Sequence, residues 1–135
     1  MTTKSQLNVR VGTRENHSAH VVVEGSLDAF TFDRFQKAVM ELTEAGTLWI
    51  VLDLRAMTYI ASVGINFLIN LRVQRRKVGG DVLMVQPQPN VLKILKMLGL
   101  LDVLIVVPTV EEAWSQLRSK MKPAGGADPD VPLIQ

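Results

Sequence analysis

Ser62 stands at a position where a side-chain hydroxyl could do chemistry. It follows Ile60-Ala61 and precedes Val63-Gly64, at the point where an apolar run gives way to a helical pattern. A hydrolase nucleophile elbow requires glycine two residues before the serine, and Ile60 occupies that position. Serine is also a favoured helix N-cap, because its oxygen accepts a hydrogen bond from an exposed backbone N–H. A capping role would therefore explain Ser62 without further chemistry.

Asp28 is expected near the same place. It ends the stretch 24–28, Glu-Gly-Ser-Leu-Asp, which follows a predicted strand. In an open α/β sheet, sites form in the loops beyond the carboxyl ends of strands. Asp28 and Ser62 would then share one rim of the sheet, and a small-ligand sensor that uses this rim is one candidate function. Asp28 as a simple turn or capping residue is the alternative, and both remain open.

No other pattern predicts catalysis, a cofactor or a metal site. Neither Gly-x-x-x-x-Gly-Lys nor Gly-x-Gly-x-x-Gly occurs, so the common phosphate-binding loops are excluded. His17 and His20 lie three residues apart without a carboxylate or cysteine partner pattern, and the chain has no cysteine. We therefore expect a protein that is not an enzyme and that uses no metal or cofactor.

Composition and charge limit the classes of partner. The 135 residues, 47% hydrophobic and 21% charged, are ordinary for one globular domain. A net charge of +2 is too small to indicate nucleic-acid binding. The basic residues that do cluster fall in the last turn of a predicted helix, where cations oppose the helix dipole: Arg72, Arg75, Arg76 and Lys77. No signal-peptide core and no apolar run of membrane-spanning length is present, which predicts a cytoplasmic protein without membrane insertion.

The elements on either side of Ser62 must position it. Residues 48–52 form a continuous apolar run, which suits a strand buried on both faces of a parallel sheet. A helix is predicted from Ser62 to Lys77, and Gly79-Gly80 ends it. Residues 56–61 are expected to form the short connection between them.

The rest of the chain predicts an α/β domain. Further strands are predicted at residues 7–11, 19–24, 81–85 and 103–107, and further helices at 31–45, 90–98 and 109–120. This order implies a mixed sheet of about five strands, with an antiparallel edge strand and about four helices mostly on one side. We expect a single domain over residues 1–121. Residues 122–135 are predicted to form a flexible tail, since they carry three prolines and two glycines without periodicity.

A family resemblance rests on three short motifs. Leu52-Asp53-Leu54, the pair Tyr59-Ile60 and then Ala61-Ser62-Val63-Gly64 together resemble the STAS domain, especially the bacterial anti-sigma factor antagonists. That family typically reads Asp-Leu-Ser and later Asp-Ser-Ser-Gly at the start of a helix, and the stretch 24–28 resembles its Gly-Glu-Leu-Asp turn. The serine that the family's partner kinase phosphorylates falls on Ser62. Here Ala61 and Val63 replace the family's aspartate and second serine.

The predicted helix after Ser62 carries more apolar surface than one sheet face needs. Its apolar residues span about 200° of arc, whereas packing on one face needs about half of that. A neighbouring helix or a partner covers the excess, and both remain open. Because the family docks through this helix and the loop before it, the resemblance implies a partner surface. The expected partner-binding residues are Asp28, Ala61, Ser62, Val63, Gly64, Phe67 and Leu71.

The resemblance also implies a function. The protein would be an anti-sigma factor antagonist in a partner-switching circuit. It would bind an anti-sigma factor that is also a serine kinase, would be phosphorylated on Ser62, and would be reset by a serine phosphatase. The main alternative is a STAS subunit of a lipid-transporting ABC complex, in which the same helix docks on an ATPase without phosphorylation.

Overall fold

The computed structural model describes residues 6–14 and 16–124. Over those residues the chain forms a five-stranded sheet with four α-helices and one short 3-10 helix. In chain order the elements are β1 (Leu7–Arg14), β2 (Ser18–Leu27), α1 (Phe32–Glu44), β3 (Trp49–Ile60), α2 (Ser62–Lys77), β4 (Asp81–Val85), α3 (Pro89–Met97), η1 (Leu100–Asp102), β5 (Ile105–Val107) and α4 (Val110–Ala124). The predicted α/β class and the single mixed sheet are confirmed.

The sheet order is β1-β2-β3-β4-β5, so β3 is central. β1 pairs antiparallel with β2 at the edge, while the pairs from β2 to β5 are all parallel. Ile50 and Leu52 of β3 are fully buried, as a strand covered on both faces requires. The antiparallel edge strand and the burial of β3 on both faces agree with the prediction.

β3 is longer than predicted. Residues 56–60 belong to the strand, because pairing with β2 continues to the pair Leu27 and Ile60, and only Ala61 connects β3 to α2. Two register shifts, after Val22 and after Gly25, let β3 follow β2 to its end. Such bulges add residues to one strand and increase its local twist. The β2–β3 pair therefore reaches directly to Ser62.

The core has two parts, one on each face of the sheet. α1, α2 and α3 cover one face, where Phe35, Leu68 and Leu95 join a large buried cluster. α4 covers the other face, where Trp114 and Leu117 pack on β3, β4 and β5. Of the helices in the described part of the chain, most therefore lie on one side, as predicted.

The end of α4 differs from the sequence prediction. The Glu112 N–H donates to Thr109 Oγ1 at 3.0 Å, so Thr109 caps this helix. The helix then runs to Ala124, beyond the predicted end near residue 120. The predicted flexible tail at 122–135 falls largely on residues 125–135, which lie outside the described residues.

Asp81 ties three elements together at the amino edge of the sheet. Its carboxylate accepts hydrogen bonds from Arg72 of α2 at 2.8 and 3.3 Å and from Lys120 of α4 at 3.3 Å. The Val82 N–H adds a bond of 2.8 Å. Burial raises the pKa of the Asp81 carboxyl, but these donors and the cationic charge outweigh it, so that pKa lies below its ordinary value. Arg72 also donates to the carbonyl of Val103, which anchors the segment before β5.

Candidate functional site

Two chain segments meet at the carboxyl edge of the sheet. Leu27 at the end of β2 pairs with Ile60 at the end of β3. The Ala61 N–H then donates to the Leu27 carbonyl at 2.8 Å, which continues the contact past both strands. Asp28 and Ser62 follow directly on either side of this bond. The structure therefore brings Asp28 and Ser62 to one rim of the sheet, as predicted from the sequence.

Ser62 is not the helix cap. The N-cap of α2 is Ala61, whose backbone is extended at φ −94° and ψ 169°, and Ser62 is the first helical residue. The Ala61 carbonyl accepts from the N–H groups of Gly64 and Ile65, which closes the first turn. Among the described residues nothing caps this helix through a side chain, and Ser62 is solvent-exposed. A capping role therefore does not account for its hydroxyl, which is open to a modifying enzyme.

Asp28 builds a rigid turn. Its Oδ1 accepts from the N–H groups of Phe30 and Thr31 at 2.9 and 3.2 Å, and its Oδ2 accepts from the Ser26 hydroxyl at 2.9 Å. The Thr31 hydroxyl donates to the Ser26 carbonyl at 2.7 Å and accepts from the Asp28 N–H at 3.0 Å. Aspartate favours such turns because its short side chain bonds the backbone two residues on. The structure thus supports the turn interpretation of Asp28, at the rim that it shares with Ser62.

Gly64 and Leu71 lie in the core rather than on a surface. A Cβ at Gly64 would stand 2.7 Å from Leu27 Cδ2, so glycine allows α2 to approach the end of β2 closely. The Leu71 side chain is 5% exposed and belongs to the large buried cluster. The expectation that Leu71 forms part of a partner surface is therefore wrong, because the sheet already covers this side of the helix. Gly64 is likewise buried and shapes the site through packing.

Phe67 is covered by a neighbouring helix. Its ring meets those of Phe32 and Phe35 of α1 edge-to-face, with centroids 5.5 and 5.6 Å apart. Edge-to-face contacts of this kind stabilise beyond the area that they bury. Phe67 is half-buried as a result, so α1 covers this part of the apolar arc of α2, while Val63 and Val73 remain exposed. Of the two explanations left open by the sequence, the neighbouring helix accounts for this residue.

The apolar side chains that reach solvent after the ends of β2 and β3 are different ones. Phe30 is 88% exposed, Tyr59 is 46% exposed and Val63 is 37% exposed. Tyr59 and Val63, which flank Ser62 in the chain, form with it what we call the docking rim, whereas Phe30 lines an open cavity beside β1 with Gln6 and Arg34. Sequence reasoning missed Phe30 and Tyr59. A signal was present for Phe30, since it precedes α1 and falls outside the buried stripe that begins at Phe35.

A second polar cluster lies on the α4 side of the sheet. The Asp53 side chain is 3% exposed. Its Oδ1 accepts a hydrogen bond from Arg55 Nε at 2.9 Å and its Oδ2 accepts one from Arg55 Nη2 at 2.6 Å. His20 Nε2 lies 3.6 Å from Oδ2. Burial raises the pKa of the Asp53 carboxyl, but the bonds and charge of Arg55 outweigh it, so that pKa lies below its ordinary value. The adjoining open cavity of about 370 Å³ also contains the ion pair of Arg10 and Glu24. Both carboxylates of this cluster are therefore paired with an arginine, whereas His20 Nε2 is buried without a hydrogen bond.

Metal and membrane features are absent from the part of the chain that the structure describes. Over residues 6–14 and 16–124, no group of three or more His, Cys, Asp or Glu side chains is arranged to hold a metal ion. Within the same residues, no helix has both the length and the apolar character needed to span a bilayer.

Comparison with known proteins identifies the family. The family model of the STAS domain matches residues 9–113. An anti-sigma factor antagonist from Mycobacterium paratuberculosis is similar in structure, with a TM-score of 0.70 and 21% identity over 84% of this chain and 95% of that one. The phosphorylated form of the Bacillus cell fate determinant SpoIIAA has a TM-score of 0.64 and 17% identity over 82% of this chain and 100% of that one. No curated protein sequence matches significantly. The chain belongs to the STAS domain family.

Proposed function

We propose that this protein is an anti-sigma factor antagonist that binds an anti-sigma factor through the docking rim. The observation that carries the proposal is the exposed Ser62 hydroxyl in the first turn of α2, next to the exposed Val63. The STAS fold and its likeness to proteins described as anti-sigma factor antagonists support it. The protein would act in the cytoplasm and by binding rather than by catalysis.

The proposed switch is phosphorylation of Ser62 by the anti-sigma factor, acting as a serine kinase. A phosphate adds about −1.5 to −2 charge and three strong acceptor oxygens. The N–H groups of the first turn and the helix dipole favour an anion at this position, so modification leaves the domain folded. The effect falls on the complex instead, because a hydrated dianion inside an interface must be desolvated or repelled at a cost of several kcal/mol. That cost dissociates a micromolar complex, and a serine phosphatase reverses it.

The two departures from the family motif fit this rim. Ala61 places no carboxylate beside Ser62, so the unmodified rim is less negative than the family pattern would make it. Val63 replaces a serine and is 37% exposed, which adds apolar surface next to the hydroxyl. Apolar area at the centre of an interface contributes most to affinity, whereas exposed polar contacts contribute less. Burial of the Val63 side chain against a partner would favour binding of the unmodified form.

Affinity capture tests the proposed function. The tagged protein and its Ser62→Glu variant are used as paired baits on lysate from the native cell, and the eluates are compared by quantitative mass spectrometry. An anti-sigma factor with a kinase domain, enriched by the unmodified bait and depleted with Ser62→Glu, is the expected result. Transporter ATPase subunits retained by both baits would instead identify the ABC-associated alternative. An eluate with neither class would overturn the proposal.

A further inference from the structure

Four apolar side chains reach solvent between the end of α3 and the start of β5. They lie within seven consecutive residues and are, in chain order, 75%, 58%, 39% and 38% exposed: Met97, Leu98, Leu101 and Val103. We call this group the α3 patch. Apolar side chains that are exposed singly are ordinary on a protein surface, whereas a contiguous group of them marks an interaction surface.

The segment that carries the α3 patch is anchored from the inside. Leu100 and Leu104 pack into the large buried cluster. The N–H groups of Val103 and Leu104 donate to the Leu100 carbonyl at 2.9 and 2.8 Å, and Arg72 Nη1 donates to the Val103 carbonyl at 2.8 Å. The backbone is therefore already ordered, which lowers the entropy that docking on the α3 patch would cost.

Charges of opposite sign lie at the two ends of the α3 patch. Lys93 and Lys96 are exposed on α3, and Asp102 is exposed at the end of η1. Over residues 6–14 and 16–124, none of these three side chains takes part in an ion pair. A membrane surface with anionic lipids would attract the two lysines but repel Asp102, which stands among the apolar side chains. The surface that matches both ends is a second α3 patch turned by 180°.

We propose that the α3 patch is the interface of a homodimer, in which a second copy of this chain docks through the same residues. A two-fold interface is reciprocal, so that if Lys96 of one protomer lies against the partner's Asp102, its own Asp102 lies against the partner's Lys96. The apolar side chains then fill the centre and the two ion pairs form the rim, which is the usual arrangement of an interface. Four apolar side chains are few for a standard interface of about 800 Å² per partner, so we expect a dissociation constant of about 10–100 μM.

The homodimer leaves the docking rim free. β5 begins directly after the α3 patch and runs parallel to β4, so the patch lies at the amino edge of the sheet. Ser62 lies at the opposite edge, beyond the carboxyl ends of β2 and β3. The inference therefore does not depend on the proposed function, and each protomer of the dimer still presents its own docking rim.

Sedimentation equilibrium of the full chain, over about 1–500 μM, measures the dimer directly. The matched variants are Leu98→Asp and Phe30→Asp, because Phe30 is even more exposed but follows the carboxyl end of β2. Leu98→Asp should weaken the dimer at least about 30-fold, since it places two like charges at the centre of the interface, and Phe30→Asp should leave it unchanged. Below the dimerising concentration both variants should melt like the wild-type protein, because exposed side chains contribute little to folding.

A charge exchange tests the reciprocal pairing independently of Leu98→Asp. Lys96→Glu and Asp102→Lys should each weaken the homodimer about tenfold or more, because each sets like charges against one another at both ends of the interface. An equimolar mixture of the two variants should dimerise as tightly as the wild-type protein, since both ends then join opposite charges, and native mass spectrometry identifies the mixed species. A chain that stays monomeric at every concentration, a dimer that Leu98→Asp leaves intact, or a mixture that forms no heterodimer would overturn the proposal.

Discussion

Replacement of Asp81 by asparagine tests how the domain is held together at the edge opposite the docking rim. In the wild-type protein, Asp81 Oδ1 accepts from Arg72 Nε and the Val82 N–H, while Oδ2 accepts from Arg72 Nη2 and Lys120 Nζ, both at 3.3 Å. Asparagine keeps one acceptor oxygen but turns an NH₂ group toward the other two donors. The change therefore removes two charge-assisted bonds without altering the size of the side chain.

The magnitude follows from the geometry. Hydrogen bonds to charged groups contribute about 1.5–3 kcal/mol each. The two lost bonds are long, and the Lys120 side chain is 40% exposed, so its contribution is screened. We expect Asp81→Asn to lower the free energy of unfolding by about 2–3 kcal/mol, which is a large fraction of a typical total of about 5–15 kcal/mol. For a domain of this size the melting temperature should fall by about 8–12 °C.

The effect should depend on pH in one direction. Because the pKa of folded Asp81 lies below its ordinary value of 3.8, the carboxylate stabilises the protein fully above that value. The stabilisation is lost as pH falls through the folded-state pKa, where the protonated acid resembles the amide. Chemical denaturation at pH 7 and at pH 3, with exposed Asp102→Asn as the control, measures this difference. The reasoning is refuted if Asp81→Asn lowers the free energy of unfolding by less than about 0.5 kcal/mol at pH 7, or by the same amount at both pH values.

Three further variants test the packing around α2 by thermal and chemical denaturation. Leu71→Asp should unfold the protein or lower its free energy of unfolding by about 3–5 kcal/mol, because it buries an unpaired charge. Asn70→Asp on the exposed side should be nearly neutral. Equal effects of the two variants would show that Leu71 is exposed. Gly64→Ala should lower the free energy of unfolding by about 1 kcal/mol, since the clash with Leu27 outweighs the gain in helix propensity. If the variant is more stable than the wild-type protein, α2 can shift away from Leu27 at no cost. Phe67→Ala should cost about 2–3 kcal/mol through loss of its aromatic contacts, and a neutral result would show that its ring does not pack on α1.

The order of the strands and helices was predicted from the sequence, but the carboxyl-terminal end of β3 was not. Alternation and apolar runs are local signals, so the strands, helices and their order could be read directly. The stretch 53–60 mixes polar and apolar residues and carries no clear period. It becomes strand only because β2 lies beside it and bulges keep the two in register. That pairing joins residues far apart in the chain, which a local pattern does not encode.

The candidate site was predicted in position but not in surface detail. The rim shared by Asp28 and Ser62 followed from the rule that parallel strands end at one edge. The apolar residues of α2 surround much of the helix, so the sequence could not show that Leu71 faces the sheet. Phe30 and Tyr59 reach solvent because of turn and strand-end geometry, which depends on contacts such as the Asp28 hydrogen bonds. Exposure of single aromatic residues is therefore where the structure adds most.

Site-specific phosphorylation tests the central claim most directly. The purified protein and its Ser62→Ala variant are incubated with the captured anti-sigma factor kinase and ATP, and the phosphopeptides are located by mass spectrometry. We predict a single phosphate on Ser62 that dissociates the complex, none on Ser62→Ala, which should bind constitutively, and weak binding of Ser62→Glu at an unchanged melting temperature. A phosphate elsewhere in the chain, or none while the kinase binds, would contradict the switch at Ser62 and leave only the STAS fold.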